Sequence, residues 1–198
     1  MSKIFDSLAK FFAVPDDEGR DDDFELPLDE SGKLIRPMAT VKAVPHRFKT
    51  RSNDKNSQPA ANLHEILPLD DESRALLAIA NAARAKAYAR YSGYHVGAAL
   101  VAKSGQVYLG VNIENASYPA GICAERAAIC AAISAGETEF SAIAIAGGDE
   151  EDTEAKTPCC PCGICRQVLS EFCPPEFPVI LADGVYALGG LLPHAFTL

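Results

Sequence analysis

Three cysteines and one glutamate have the types and spacing to do chemistry. Pro161-Cys162-Gly163-Ile164-Cys165 sets two thiols three positions apart at the start of an expected helix, CGICRQVLSEF. At that spacing both sulfurs can grip one zinc ion, and the free amides of a helix N-terminus lower the thiol pKa values. Two ligands are too few for zinc. Cys123, at the start of a second expected helix, can be the third. Three protein ligands leave a fourth position for water, the catalytic rather than the structural arrangement. Glu125 lies two residues further on, inside ICAERAA, a run of small apolar residues where a charge needs a reason. A carboxylate beside such a water can take its proton and pass it to a substrate nitrogen. Residues two apart do not share a helix face, so Cys123 and Glu125 must occupy the first, irregular turn. Three thiolates leave a zinc site at net −1, and Arg126 can offset that by hydrogen bonding to the sulfurs.

The other cysteines support the same reading. The chain has seven, an odd number, and five of them lie between Cys159 and Cys173. The opening MSKIFDSLAKFFAV lacks the long apolar stretch of a secretory signal, so a cytoplasmic protein with reduced thiols is expected. Cys130, Cys159 and Cys173 read as packing or surface thiols. Cys160 could act as a fourth thiolate and close the site. The four histidines show no pairing pattern that would make them ligands.

These groups need elements to position them. ESRALLAIANAARAKAYARY, residues 72–91, is alanine-rich with Leu76, Ile79, Ala80 and Ala83 on one face, which predicts a helix. HVGAALVAK, a Ser104-Gly105 turn and QVYLGVNIE predict a β-hairpin. The run from Ala120 to Ala135 predicts the helix carrying Glu125, stopped near Gly136. FSAIAIAGG predicts a buried strand, PVILADG another, and residues 188–196 a short closing helix. Helices interleaved with strands imply an α/β domain with a mixed sheet flanked by helices.

Charge divides the chain. Residues 1–32 carry ten acids against three bases, residues 33–60 seven bases against one acid, and the remainder sixteen acids against eight bases. Residues 1–70 therefore read as a charged, partly disordered extension, and residues 71–198 as the folded domain. Apolar residues at helical spacing near the start suit a docking helix, against either this domain or a partner. The acidic domain disfavours nucleic acid as a partner. No run reaches the ~20 apolar residues of a membrane span.

From residue 87 onward the sequence resembles the small, single-domain cytidine deaminases. YSGYHVGAAL (91–100) is similar to that family's Y-S-x-F-x-V-G-A-A-L, and GVNIENASYPAGICAERAAI (110–129) to its G-x-N-x-E-N-A-x-Y…C-A-E-R. PCGICRQVLSEF (161–172) is similar to its P-C-G-x-C-R-Q-V-x-x-E-F, and LLPHAF (191–196) to its closing segment. A C-x-E and a P-C-x-x-C, each opening a helix, is also the general zinc-deaminase pattern. The resemblance implies a three-layer α/β/α domain with a mixed five-stranded sheet and hydrolytic deamination of cytidine and deoxycytidine, as in pyrimidine salvage. It implies Zn²⁺ on Cys123, Cys162 and Cys165, and Glu125 as the proton shuttle. Asn112 and Glu114 stand where the family binds the ribose hydroxyl, and Tyr94 and the Ala124 backbone where it contacts the pyrimidine. Tyr118 and Phe196 match residues lent to a neighbouring subunit in homotetramers. Tyr94 replaces a phenylalanine, Arg90 and His95 replace prolines, Cys160 stands at a usual serine, and residues 1–70 have no counterpart.

The sequence admits two other readings. One is a nucleic-acid deaminase using residues 33–60 as a basic arm, which the ribose-binding pair argues against. The other is a catalytically silent zinc module with a filled fourth position.

Overall fold

The structure is a computed structural model that describes residues 62–196. The acidic run, the basic stretch and the amphipathic start fall outside the described residues.

Helix α1 (Asp71–Ala83) begins where its sequence dictates: the Asp70 carboxylate accepts the Ser73 amide at 2.9 Å, and Asp71 and Glu72 occupy the first turn, next to the positive end of the helix dipole. The alanine-rich pattern predicts continuation to Tyr91, but the helix stops at Ala83 and tightens into a 3₁₀ turn, Arg84–Lys86. The backbone of Tyr88 is taken by another partner. Its amide donates to Asn112 O at 3.0 Å and its carbonyl accepts from the Glu114 amide at 2.8 Å, so tertiary pairing overrides helix propensity.

Strands β1 (Tyr94–Ala102) and β2 (Val107–Val111) form the expected hairpin, with Gly105 at φ +94 in its turn. Helix α2 (Ala124–Ser134) starts four residues later than the apolar run suggests, because Tyr118–Ala120 forms a separate 3₁₀ turn. Strand β3 (Phe140–Asp149) follows, then α3 (Gly163–Phe172), β4 (Pro178–Leu181), β5 (Gly184–Ala187) and a four-residue α4 (Leu188–Leu191). No local pattern in the sequence predicts strand β5, although the resemblance implies five strands. It is four residues long and held by distant partners: β4 along its length, and Leu67, whose backbone exchanges two hydrogen bonds with Val185.

The sheet order is β2-β1-β3-β4-β5, antiparallel except for the parallel β3–β4 pair that α3 connects. Helices on both faces explain why central β3 is buried almost throughout and does not alternate. Two glycines set the helices onto the sheet. A Cβ on Gly97 would meet Ala80 O at 2.1 Å, and one on Gly110 would meet Ala124 O at 2.1 Å and Ala128 N at 2.3 Å. Gly97 therefore seats α1 on one face, and Gly110, opposite Ala98 in register, seats α2 on the other. The main core lies on the α2 side, where Leu100, Ile143, Ile145, Val179 and Leu181 pack under Ala128, Ile129 and Leu169. This is the three-layer α/β/α fold with a mixed five-stranded sheet. No helix among the described residues is long and apolar enough to cross a membrane.

Candidate active site

Cys123 and Cys162 are the N-cap residues of α2 and α3, both in extended backbone, and neither side chain caps its own helix. Their sulfurs are thus free to point toward each other while the helix amides add positive potential. The Cys123 and Cys162 Sγ atoms lie 3.9 Å apart, and Cys162 and Cys165 Sγ atoms 3.4 Å apart. All three sulfurs fall within 4.8 Å of one another. Sulfurs bound at about 2.3 Å around a tetrahedral ion sit about 3.8 Å apart, so the cluster fits one zinc ion. Cys160 is exposed and lies outside this cluster.

The electrostatics suit a metal site. The Cys123 thiol is lowered to about 5, first by a hydrogen bond from Cys165 and then by Arg126, with burial opposing. Cys165, the donor in that pair, is raised. Arg126 lies close enough to Cys123 and Cys165 for their sulfurs to raise its pKa, donates to Gly121 O at 3.3 Å, and keeps a buried Nε that has no partner among the described residues. Glu125 is only 4 % exposed, and burial raises its carboxyl pKa, with the nearby Cys123 adding to the effect. The Cys123 and Cys165 sulfurs both act on its carboxyl, which places Glu125 beside the sulfur cluster.

A second polar group borders the start of β1. Asn112 Oδ1 accepts from Val96 N at 2.8 Å and its Nδ2 donates to Tyr94 O at 2.9 Å. Glu114 accepts from the amides of Tyr91 and Ser92 at 2.8 and 3.2 Å, and from the Ser92 hydroxyl at 2.5 Å. These bonds hold its carboxyl below the ordinary range, the Ser92 hydroxyl first among them. Tyr94 is half-exposed, and its amide donates to Ser92 Oγ at 3.0 Å. Ala124 is fully buried beneath Gly110. Tyr118 and Phe196 are 85 % and 65 % exposed. Arg90, at a proline position of the resemblance, sits 6.0 and 5.7 Å from the ring centroids of Tyr88 and Tyr91.

Two residues with clear work in this region escape sequence reasoning. Ser92 links Tyr94 to Glu114; its one signal in the sequence is its place in the Y-S-x-F motif, which does not say what it touches. Arg84 is 6 % exposed and donates to His95 O, Asn81 Oδ1, Asp152 O and Asp149 O. It ties α1 to the ends of β1 and β3. Its signal was available: four residues after Ala80, it continues the buried stripe of α1.

Residues 70–181 match the family model "Cytidine and deoxycytidylate deaminase zinc-binding region". The chain belongs to this family. A relative, the cytidine deaminase of Sporosarcina psychrophila, is 43 % identical over 127 residues, covering 62 % of this chain and 89 % of that one. Among solved structures, the cytidine deaminase from Burkholderia pseudomallei is similar at 46 % identity and a TM-score of 0.56, over 62 % of this chain and 98 % of that one. The cytidine deaminase from Mycobacterium tuberculosis is similar at 38 % identity and a TM-score of 0.58, over 65 % and 100 %. The family's zinc-binding region thus spans both cysteine-bearing helices and the Asn112–Glu114 segment.

Proposed function

We propose that this protein hydrolyses cytidine and deoxycytidine to uridine and deoxyuridine plus ammonia. The observation that carries the reading is a three-sulfur cluster of zinc dimensions with a buried carboxyl, Glu125, beside it. Cys123, Cys162 and Cys165 would hold Zn²⁺. Bound zinc acts as a Lewis acid that makes water a nucleophile near neutral pH.

The chain's own residues do the rest. Glu125 takes a proton from the attacking water and delivers it to N3 of the pyrimidine as C4 is attacked. The same carboxyl then takes the proton of the new C4 hydroxyl and passes it to the amine; the C4–N bond breaks, ammonia leaves and the C4 carbonyl of uridine remains. Burial raises its pKa, which suits a group that must both accept and donate near neutral pH. Arg126, close to the sulfurs of Cys123 and Cys165, offsets the excess negative charge of three thiolates. Asn112 and Glu114 bind the ribose hydroxyl, and Tyr94 and the Ala124 backbone border the base. Tyr118 and Phe196 are exposed enough to complete a neighbouring subunit's site in a homotetramer. Residues 71–198 form the working domain, with residues 1–70 as an appendage, in a cytoplasmic enzyme of pyrimidine salvage that does not act on nucleic acid.

Deoxycytidine and a cytosine-containing oligonucleotide, assayed side by side for loss of the cytosine absorbance, test this. Turnover of the nucleoside with the oligonucleotide unchanged is expected. Turnover of the oligonucleotide alone overturns the reading.

A further inference from the structure

Beyond the sulfur cluster, three residues meet at one point on the same face of the sheet. A Cβ built on Gly147 would lie 2.5 Å from Cys159 Sγ and 2.9 Å from the Tyr94 hydroxyl oxygen. A methyl group has no room there, so the glycine admits both terminal atoms. Gly147 pairs with Val96 across β1 and β3, and Tyr94 lies two residues before Val96. Tyr94 and Gly147 therefore share a face, and the ring leans along β1 until its hydroxyl hangs over Gly147. There the hydroxyl and the Cys159 thiol pack side by side over the glycine, close enough to interact.

Tyr94 is thus anchored at both ends. Its main chain is held by Ser92 Oγ and Asn112 Nδ2, part of the network that includes Glu114. Its hydroxyl packs beside Cys159, three residues before Cys162 and close enough to Glu125 to feel its charge. The ring bridges the Asn112–Glu114 side of the site and its metal side.

We infer that Cys159 is a positioning residue for pyrimidine binding: it pins the Tyr94 hydroxyl over Gly147 and so fixes the ring as one wall of the base pocket. The inference rests on the proposed function, which places Tyr94 beside the base. With the ring already fixed, binding a base costs less side-chain freedom. The hydroxyl is occupied by the thiol and plays no part in proton transfer, so losing the pair weakens binding and spares the chemical step.

The test uses the zinc-loaded full chain, with the uridine Kd from calorimetry and the cytidine KM and kcat from absorbance. Cys159→Ala raises both Kd and KM about five-fold, the size of one hydrogen bond, with kcat within two-fold of wild type and zinc content unchanged. Cys159→Ser, which keeps an acceptor, returns both constants to within two-fold of wild type. Tyr94→Phe weakens uridine binding by the same factor, and combining it with Cys159→Ala adds nothing further. Gly147→Ala weakens binding by forcing the pair apart, and Cys159→Ala added to it recovers part of the loss. Unchanged binding in Cys159→Ala, additive losses in the double variant, or a fall in kcat and zinc content in place of a rise in KM overturns the inference alone. A wild-type protein that binds neither uridine nor cytidine overturns the functional reading and this inference with it.

Discussion

Glu125 is the one carboxyl among the described residues buried beside a sulfur cluster, and the reaction assigned to it requires a group that both takes and gives a proton. Glu125→Gln keeps the shape and removes that capacity. It is expected to lower kcat by about 10²–10⁴-fold with zinc content unchanged, measured by cytidine absorbance and metal analysis together. Cys165→Ala removes the buried member of the trio and is expected to lose the metal, read as zinc per chain after gel filtration. At this scale the sequence was most informative. Cys123, Glu125, Cys162 and Cys165 are legible because the chemistry demands those side-chain types at helix starts. Ser92 and Cys159 are not, because their importance lies in what they touch, and their partners, Glu114 and Tyr94, are 22 and 65 residues away in the chain.

At the scale of elements, what matters is how closely the helices approach the sheet. Gly110 lets the first turn of α2, and with it Cys123 and Glu125, rest on β2. Gly110→Ala places a methyl against backbone that cannot yield. A loss of about 1–3 kcal/mol in denaturant unfolding is expected, together with reduced zinc binding. Arg84→Ala strips donors from three main-chain carbonyls at the ends of β1 and β3 and is expected to cost about 2–4 kcal/mol by the same measurement. Periodicity found the β1–β2 hairpin, β3 and α3, whose patterns are local. It overran α1, because the Tyr88 backbone pairs with Asn112 and Glu114 and no helix propensity records that. Strand β5 was invisible in the local pattern for a related reason: it is four residues long, its first, Gly184, falls at the end of the run PVILADG, and its partners are β4 and Leu67.

The whole domain brings the N-termini of two helices together at one three-sulfur cluster, so zinc held there would link metal binding to folding. Removing zinc with a chelator is expected to lower the melting temperature as well as to stop turnover, and adding zinc back to restore both. The exposed rings of Tyr118 and Phe196 suit burial against other copies of the chain. Sedimentation is therefore expected to give a tetramer, and Tyr118→Ser to weaken it. The most direct measurement is cytidine turnover on protein whose zinc content is known. The account predicts one zinc per chain and conversion of cytidine to uridine with release of ammonia. Protein carrying that zinc and leaving cytidine unchanged contradicts it.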